Sequence, residues 1–120
     1  MAEHNNLGKN GEKAAVEHLL HLGMEILDTN WRFKHLELDI VARDKQTLVV
    51  AEVKTRSYST VQQPADSVNK QKQKWLVEAA NAYVQAKGID LEVRFDIISI
   101  IETRNGMKID HIPDAFYPRM

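Results

Sequence analysis

The spacing of apolar and polar positions changes several times along the chain, and each change marks an element. Residues 6–22 carry Ala15, Leu19 and Leu22 at helical spacing, with Asn6 or Asn10 able to cap the start and Gly23 ending the run. Residues 24–33 read as a strand with an irregular middle at Asp28, Thr29 and Asn30. Alternation then runs through residues 37–42 and 47–55, joined by a turn across Arg43, Asp44, Lys45 and Gln46. Residues 57–66 form a polar loop containing Pro64. Helical spacing resumes after the N-cap residue Asn69, puts Leu76, Ala80 and Tyr83 on one stripe to about residue 86, and ends at Lys87-Gly88. Residues 93–101 are almost continuously apolar, like a strand covered on both faces. A weaker edge strand is predicted over 107–112 after a turn at Asn105-Gly106, followed by an irregular tail over 113–120.

The predicted order is helix, three strands, helix, strand, strand. The short turn pairs the second and third strands antiparallel, and the helical link makes the next pairing parallel. An α/β protein follows, with a mixed sheet flanked by helices and residues 1–120 as a single domain.

Alternation also predicts where charge points. On the third strand Leu48, Val50, Glu52 and Lys54 share a face; on the second, Glu37, Asp39 and Val41 share one, opposite Leu38, Ile40 and Ala42. A turn at Asp44-Lys45 pairs Val41 with Leu48, Asp39 with Val50 and Glu37 with Glu52. Asp39, Glu52 and Lys54 then lie on one face, apolar at the turn end and charged at the other, as where a core gives way to a cleft. Glu37 directly opposite Glu52 costs stability unless a cation sits nearby. Glu12, three residues before Ala15 and seven before Leu19, falls on the core-facing stripe of the first helix. It is either a third converging acid or a first-turn glutamate favoured by the helix dipole.

Composition narrows the chemistry. Cysteine is absent, which excludes disulfides, zinc ribbons and thiol nucleophiles. The formal net charge of −1 argues against a domain that only grips phosphate backbone, while leaving room for local basic clusters. Those clusters are Arg32, Lys34 and His35, then Lys54 and Arg56, then Lys70, Lys72 and Lys74. The polar first ten residues carry no signal-peptide core, and no run approaches the ~18 apolar residues of a membrane span, so a soluble cytoplasmic protein is expected. The five histidines show no ligand spacing, and Trp31 and Trp75 could stack on bases but are more often packing residues.

Carboxylates beside a lysine suit a hard cation, magnesium or manganese, held by Asp39 and Glu52 and the Val53 carbonyl. Such an ion activates water and neutralises a phosphoryl oxygen, with Lys54 positioning the water or stabilising charge. A half-buried glutamate–lysine ion pair without metal fits the spacing equally well.

Asp39, twelve further residues, then Glu52-Val53-Lys54 looks like the PD-(D/E)xK nuclease signature. With "NGEKAAVEHLLHLGMEILDTNWR", "ELDIVARD", "LVVAEVKTR", "KQKWLVEAANAYV" and "VRFDIISI" in order, residues 7–112 resemble the YraN-like family of small bacterial proteins, predicted endonucleases. The resemblance implies a restriction-endonuclease-like three-layer fold, similar to archaeal Holliday-junction resolvases. It also implies metal-dependent hydrolysis of phosphodiester bonds in DNA, branched or otherwise structured DNA included, with a homodimer by analogy. Carried over by position, Glu12 is the helix acid, Asp39 and Glu52 the metal ligands and Lys54 the motif lysine. Arg56, Lys70, Lys72 and Gln73 become nucleic-acid contacts, and Tyr58 joins them if its loop borders the cleft. Leu36, before Glu37, stands where the family has the glycine of its "GEID" segment. The alternative is a nucleic-acid-binding or assembly module that keeps the fold without cleaving.

Overall fold

A computed structural model of the chain describes residues 2–57 and 68–117, with side chains from residue 9 onward. The elements are α1 (Ala2–His21), β1 (Glu25–Phe33), β2 (Leu36–Asp44), β3 (Thr47–Ser57), α2 (Lys70–Lys87), β4 (Glu92–Thr103) and β5 (Gly106–Phe116). One sheet runs in the order β1-β2-β3-β4-β5. Its β3–β4 ladder is parallel, with α2 in the crossover, and its other ladders are antiparallel. The helices cover opposite faces. Ala15 and Leu19 of α1 pack on Ile40, Ala42, Val49, Ala51, Ile98 and Ile100. Leu76, Ala79, Ala80 and Tyr83 of α2 pack on Leu38, Val41, Leu48, Val50, Phe95 and Ile97. This is the three-layer α/β arrangement that the sequence pattern predicts, with the central strands apolar on both sides because both are covered.

Local chemistry sets the helix ends. Asn69 caps α2 by accepting from the Lys72 amide at 2.8 Å, and Gly88 ends it at φ +64. Helix α1 starts earlier than expected, so Asn6 and Asn10 lie inside it and neither caps it. Gly11 lets α1 lie close on β3, because a Cβ there would collide with the Thr55 methyl group. Strand β5 also outruns its expected end at residue 112, passing Pro113 to Phe116. Proline is tolerated there because β5 is an edge strand with one unpaired side. Stacking of Phe116 on Phe95, with ring centroids 5.0 Å apart, anchors the extension.

The β2–β3 register corrects the expected one. The turn is Lys45-Gln46, with Lys45 at φ +58, so Asp44 pairs with Thr47 and Val41 with Val50. The slip is two residues, which preserves faces. One step past the last ladder pair, Ile40 with Ala51, Asp39 comes level with Glu52. Glu37 therefore does not oppose Glu52; it lies against Arg32, with Oε2 3.5 Å from Nε. Nor does strict alternation hold. Leu36 and Leu38 face α2 together with Val41, whereas Ile40 and Ala42 face α1. The break falls at Asp39, and β1 breaks at the facing position, where Asn30 has φ +51. The outer part of the β1–β2 hairpin is thereby re-aimed over α2, with Asp39 at the bend.

Candidate active site

Glu52 projects from the middle of the sheet. Its strand pairs on the far side with β4, at Ile97, and the side chain shares the α2 face with Leu48 and Val50. Only 9% of the residue is exposed. Asp39 meets it from the neighbouring strand. The Val53 amide donates to Asp39 Oδ2 at 2.9 Å, which ties the bend in β2 to the residue just after Glu52. One step past the ladder pair of Ile40 with Ala51, Asp39 and Glu52 stand level, so the two carboxyl groups converge on one side of the sheet.

Convergence has an electrostatic cost. Burial raises the Asp39 pKa first, then the Glu52 charge, the hydrogen bond to Glu52 and the more distant Glu12 charge; the Val53 amide alone pulls the other way. The result is about 8, so Asp39 carries a proton at neutral pH. On the other side of Glu52, Lys72 Nζ of α2 lies 3.3 Å from Oε2. Glu52 Oε1 is buried and has no hydrogen-bond partner among the described residues. A buried acceptor left bare in this way is costly and points to a missing cation or donor. Two carboxylates with a bare oxygen fit a hard, oxygen-preferring ion such as magnesium or manganese. Among the described residues no three His, Cys, Asp or Glu side chains form a complete cage, so backbone oxygen and water must complete any coordination sphere.

Glu12 stands apart from the pair. Its Oε1 accepts from Asn30 Nδ2 at 3.1 Å, and it lines a cavity of about 220 Å³ on the α1 side, together with Lys9, Lys13 and Asp39. A second cavity, of about 190 Å³, opens on the α2 side between Asp39, Lys72, His35 and Trp75. Asp39 thus borders both. Lys54 and Arg56 follow Glu52 along β3 at alternate positions, half-buried, opposite Ser99 and Ile101 of β4.

The basic start of α2 divides. Lys72 reaches Glu52, as a residue facing the cleft should. Gln73 does not share that direction: its Nε2 donates to the Val68 carbonyl at 2.8 Å, and with exposed Lys70 it lines a separate groove of about 650 Å³ between α2 and the end of β5. Tyr58 lies outside the described residues. The packing role expected of Trp31 holds, since its ring meets Tyr83 edge-on at 5.1 Å. Trp75 departs from it, being 41% exposed.

A second polar cluster escaped the sequence reading. Asp96, 1% exposed, takes Arg94 Nε and Nη2 at 2.9 Å each, His111 Nε2 at 2.7 Å and the Asp114 amide at 3.0 Å. His111 Nδ1 in turn lies 3.0 Å from His18 Nε2 of α1. The single available signal was an aspartate inside an otherwise apolar run, at Arg94-Phe95-Asp96.

Fold and site together define a three-layer α/β protein with a strained carboxylate pair at a bend in its sheet. No described helix is long and apolar enough to cross a membrane. The chain belongs to the uncharacterised protein family UPF0102, which matches residues 11–100. It is 52% identical over 118 residues to a UPF0102 protein of Bacteroides thetaiotaomicron and 50% identical over 117 residues to one of Christiangramia forsetii. Both alignments cover 98% of this chain and 98% of the relative.

Proposed function

We propose that this protein is a divalent-metal-dependent endonuclease that hydrolyses phosphodiester bonds in DNA. The observation that carries the reading is the buried meeting of Asp39 and Glu52, where one carboxyl holds a proton and the other leaves Oε1 without a partner. A purely structural ion pair would use its oxygens; here Glu52 leaves a buried acceptor without a partner among the described residues, beside an Asp39 that borders two cavities.

In this reading Asp39, Glu52 and the Val53 carbonyl hold magnesium or manganese. When bound, the ion supplies an activated water and neutralises charge on the phosphoryl group. The chain's own residues do the rest. Asp39 would bind the ion as a carboxylate, its proton passing to solvent, and the Val53 amide keeps that carboxylate oriented. Lys54 would place the attacking water and stabilise the negative charge that develops on the phosphoryl oxygens. Glu12, held by Asn30, faces the cavity on the far side of Asp39. Lys72 and Arg56 supply positive charge for phosphate; Lys70, in the separate groove with Gln73, reaches only nucleic acid that extends past the cleft.

A cleavage panel over single-stranded, duplex, flapped and four-way DNA with magnesium or manganese tests the proposal. Wild type should nick at least one substrate, and Asp39→Ala and Glu52→Gln should lower the rate by 100-fold or more, about the scale of losing a transition-state contact. Equal nicking by wild type and variants would mean contamination and end the proposal. Binding of DNA without cleavage of any substrate would favour a non-catalytic module on the same fold.

A further inference from the structure

Beside the acidic pair, the surface carries an aromatic ring that is only partly packed. Trp75 precedes the core residue Leu76 on α2 and so falls off the buried stripe, with 41% of its surface exposed. The other tryptophan shows what packing looks like in this protein: Trp31 stacks on Phe33 with centroids 6.4 Å apart and meets Tyr83 edge-on. Trp75 has a single ring neighbour, His35 in the β1–β2 turn, at 6.3 Å and nearly perpendicular. The two rings form an open corner, and Leu36 and Leu76, both buried, line the cavity behind it. Asp39 and Lys72 line the same cavity of about 190 Å³.

We infer that Trp75, with His35 as a side wall, is a stacking subsite for one unpaired nucleobase next to the phosphate being cut. The inference rests on the nuclease reading and adds a substrate class to it. An aromatic face and apolar floor suit a planar base, while Lys72 at the acidic end suits the phosphate attached to it. A base inside a duplex is already stacked on its neighbours and cannot offer its face to Trp75 without being extruded, at a cost of about a few kcal/mol. The preferred substrate therefore has a single-stranded nucleotide beside the scissile bond: an overhang, a flap or an open junction, not a blunt duplex.

Binding to the full chain decides this without relying on cleavage. In the Asp39→Asn background and in calcium, affinities are measured for a blunt hairpin duplex and for the same hairpin with a single-stranded extension. Trp75→Ala should weaken binding of the extended DNA about tenfold, the worth of one stacked base, and change the blunt duplex less than about twofold. Trp75→Phe should keep most of the affinity, and the extension, not the duplex, should quench tryptophan emission in a Trp75-dependent way. Unchanged melting temperatures confirm that these surface variants fold. Equal loss on both DNAs, or no loss on either, overturns the stacking subsite while leaving the nuclease reading standing if wild type still cleaves. A wild type that binds and cleaves no DNA overturns both.

Discussion

Two buried aspartates in this small protein have opposite environments. Asp96 is surrounded by donors: Arg94 with two nitrogens, His111 and a backbone amide. Burial pushes its pKa up, but those hydrogen bonds more than reverse the push and hold it at about 2. Asp39 has one donor, the Val53 amide, and a second carboxylate in place of an arginine, and it sits at about 8. The chain can satisfy a buried carboxylate, as it does at Asp96. The described residues supply no such set of donors at Asp39 and Glu52, which is where the proposed metal would complete the arrangement. Asp96 staples β4, β5 and, through His18, α1; Asp39 adds the cost of a second buried carboxyl beside Glu52.

The comparison makes its strongest claim about Asp96. Asp96→Asn should cost about 3–5 kcal/mol in urea denaturation, since it strips the charge that Arg94 and His111 are buried against. Asp39→Asn should act in the other direction and stabilise by about 1–3 kcal/mol near pH 8, because an amide can donate to Glu52 and accept from Val53 without ionising. Equal destabilisation by both substitutions would erase the distinction between them. Their pH dependences also oppose. Asp39 has a raised folded pKa, so its stabilising contribution is complete below about 4, the unfolded value, and lost as pH climbs toward about 8. The gain from Asp39→Asn should therefore grow across that window. Asp96 has a depressed folded pKa, so its contribution is complete above about 4 and lost as pH falls toward about 2.

Metal binding sharpens the contrast further. Because Asp39 must lose its proton to become a ligand, manganese affinity should rise about tenfold per pH unit up to about pH 8. Calorimetry in buffers of different ionisation heat should show about one proton released for each ion bound. A flat pH profile would mean that Asp39 is not a ligand. The smallest effect belongs to Lys72, which now supplies the positive charge beside Glu52. Lys72→Gln should tighten manganese severalfold, by removing a competing cation. Its stability cost without metal should stay under about 1 kcal/mol, since the lysine is 42% exposed and solvent screens the pair.

Much of this was legible from residue pattern. The period changes at Gly23, Asn69 and Gly88 fix the helix ends nearest the sheet, and the helix between the third and fourth strands fixes the parallel pairing. The meeting of Asp39 with Glu52 was legible too, but through a register wrong by two residues. Lys45 adopts the left-handed conformation without the Asn-Gly or Asp-Gly signature that announces such turns. An even error leaves faces intact, which is why the site survived it. The irregular middle of β1 at Asn30 was legible, but not the matching break at Asp39, which comes with packing the outer hairpin on α2. Nor was the Asp96 cluster, whose partners come from residues 18, 94, 111 and 114. No local spacing encodes that meeting. The third expected acid, Glu12, kept its helix but is bonded to Asn30 and faces the cavity on the α1 side.

The parallel ladder between β3 and β4 has a consequence for biosynthesis. Each of its pairs joins residues 45 apart, as Thr47 with Glu92, so it forms only after α2 and most of β4 have been made. The β2–β3 hairpin is local and can close much sooner. Both acids belong to that local hairpin, whereas the parallel ladder and the α2 layer that bury them are built from residues made later.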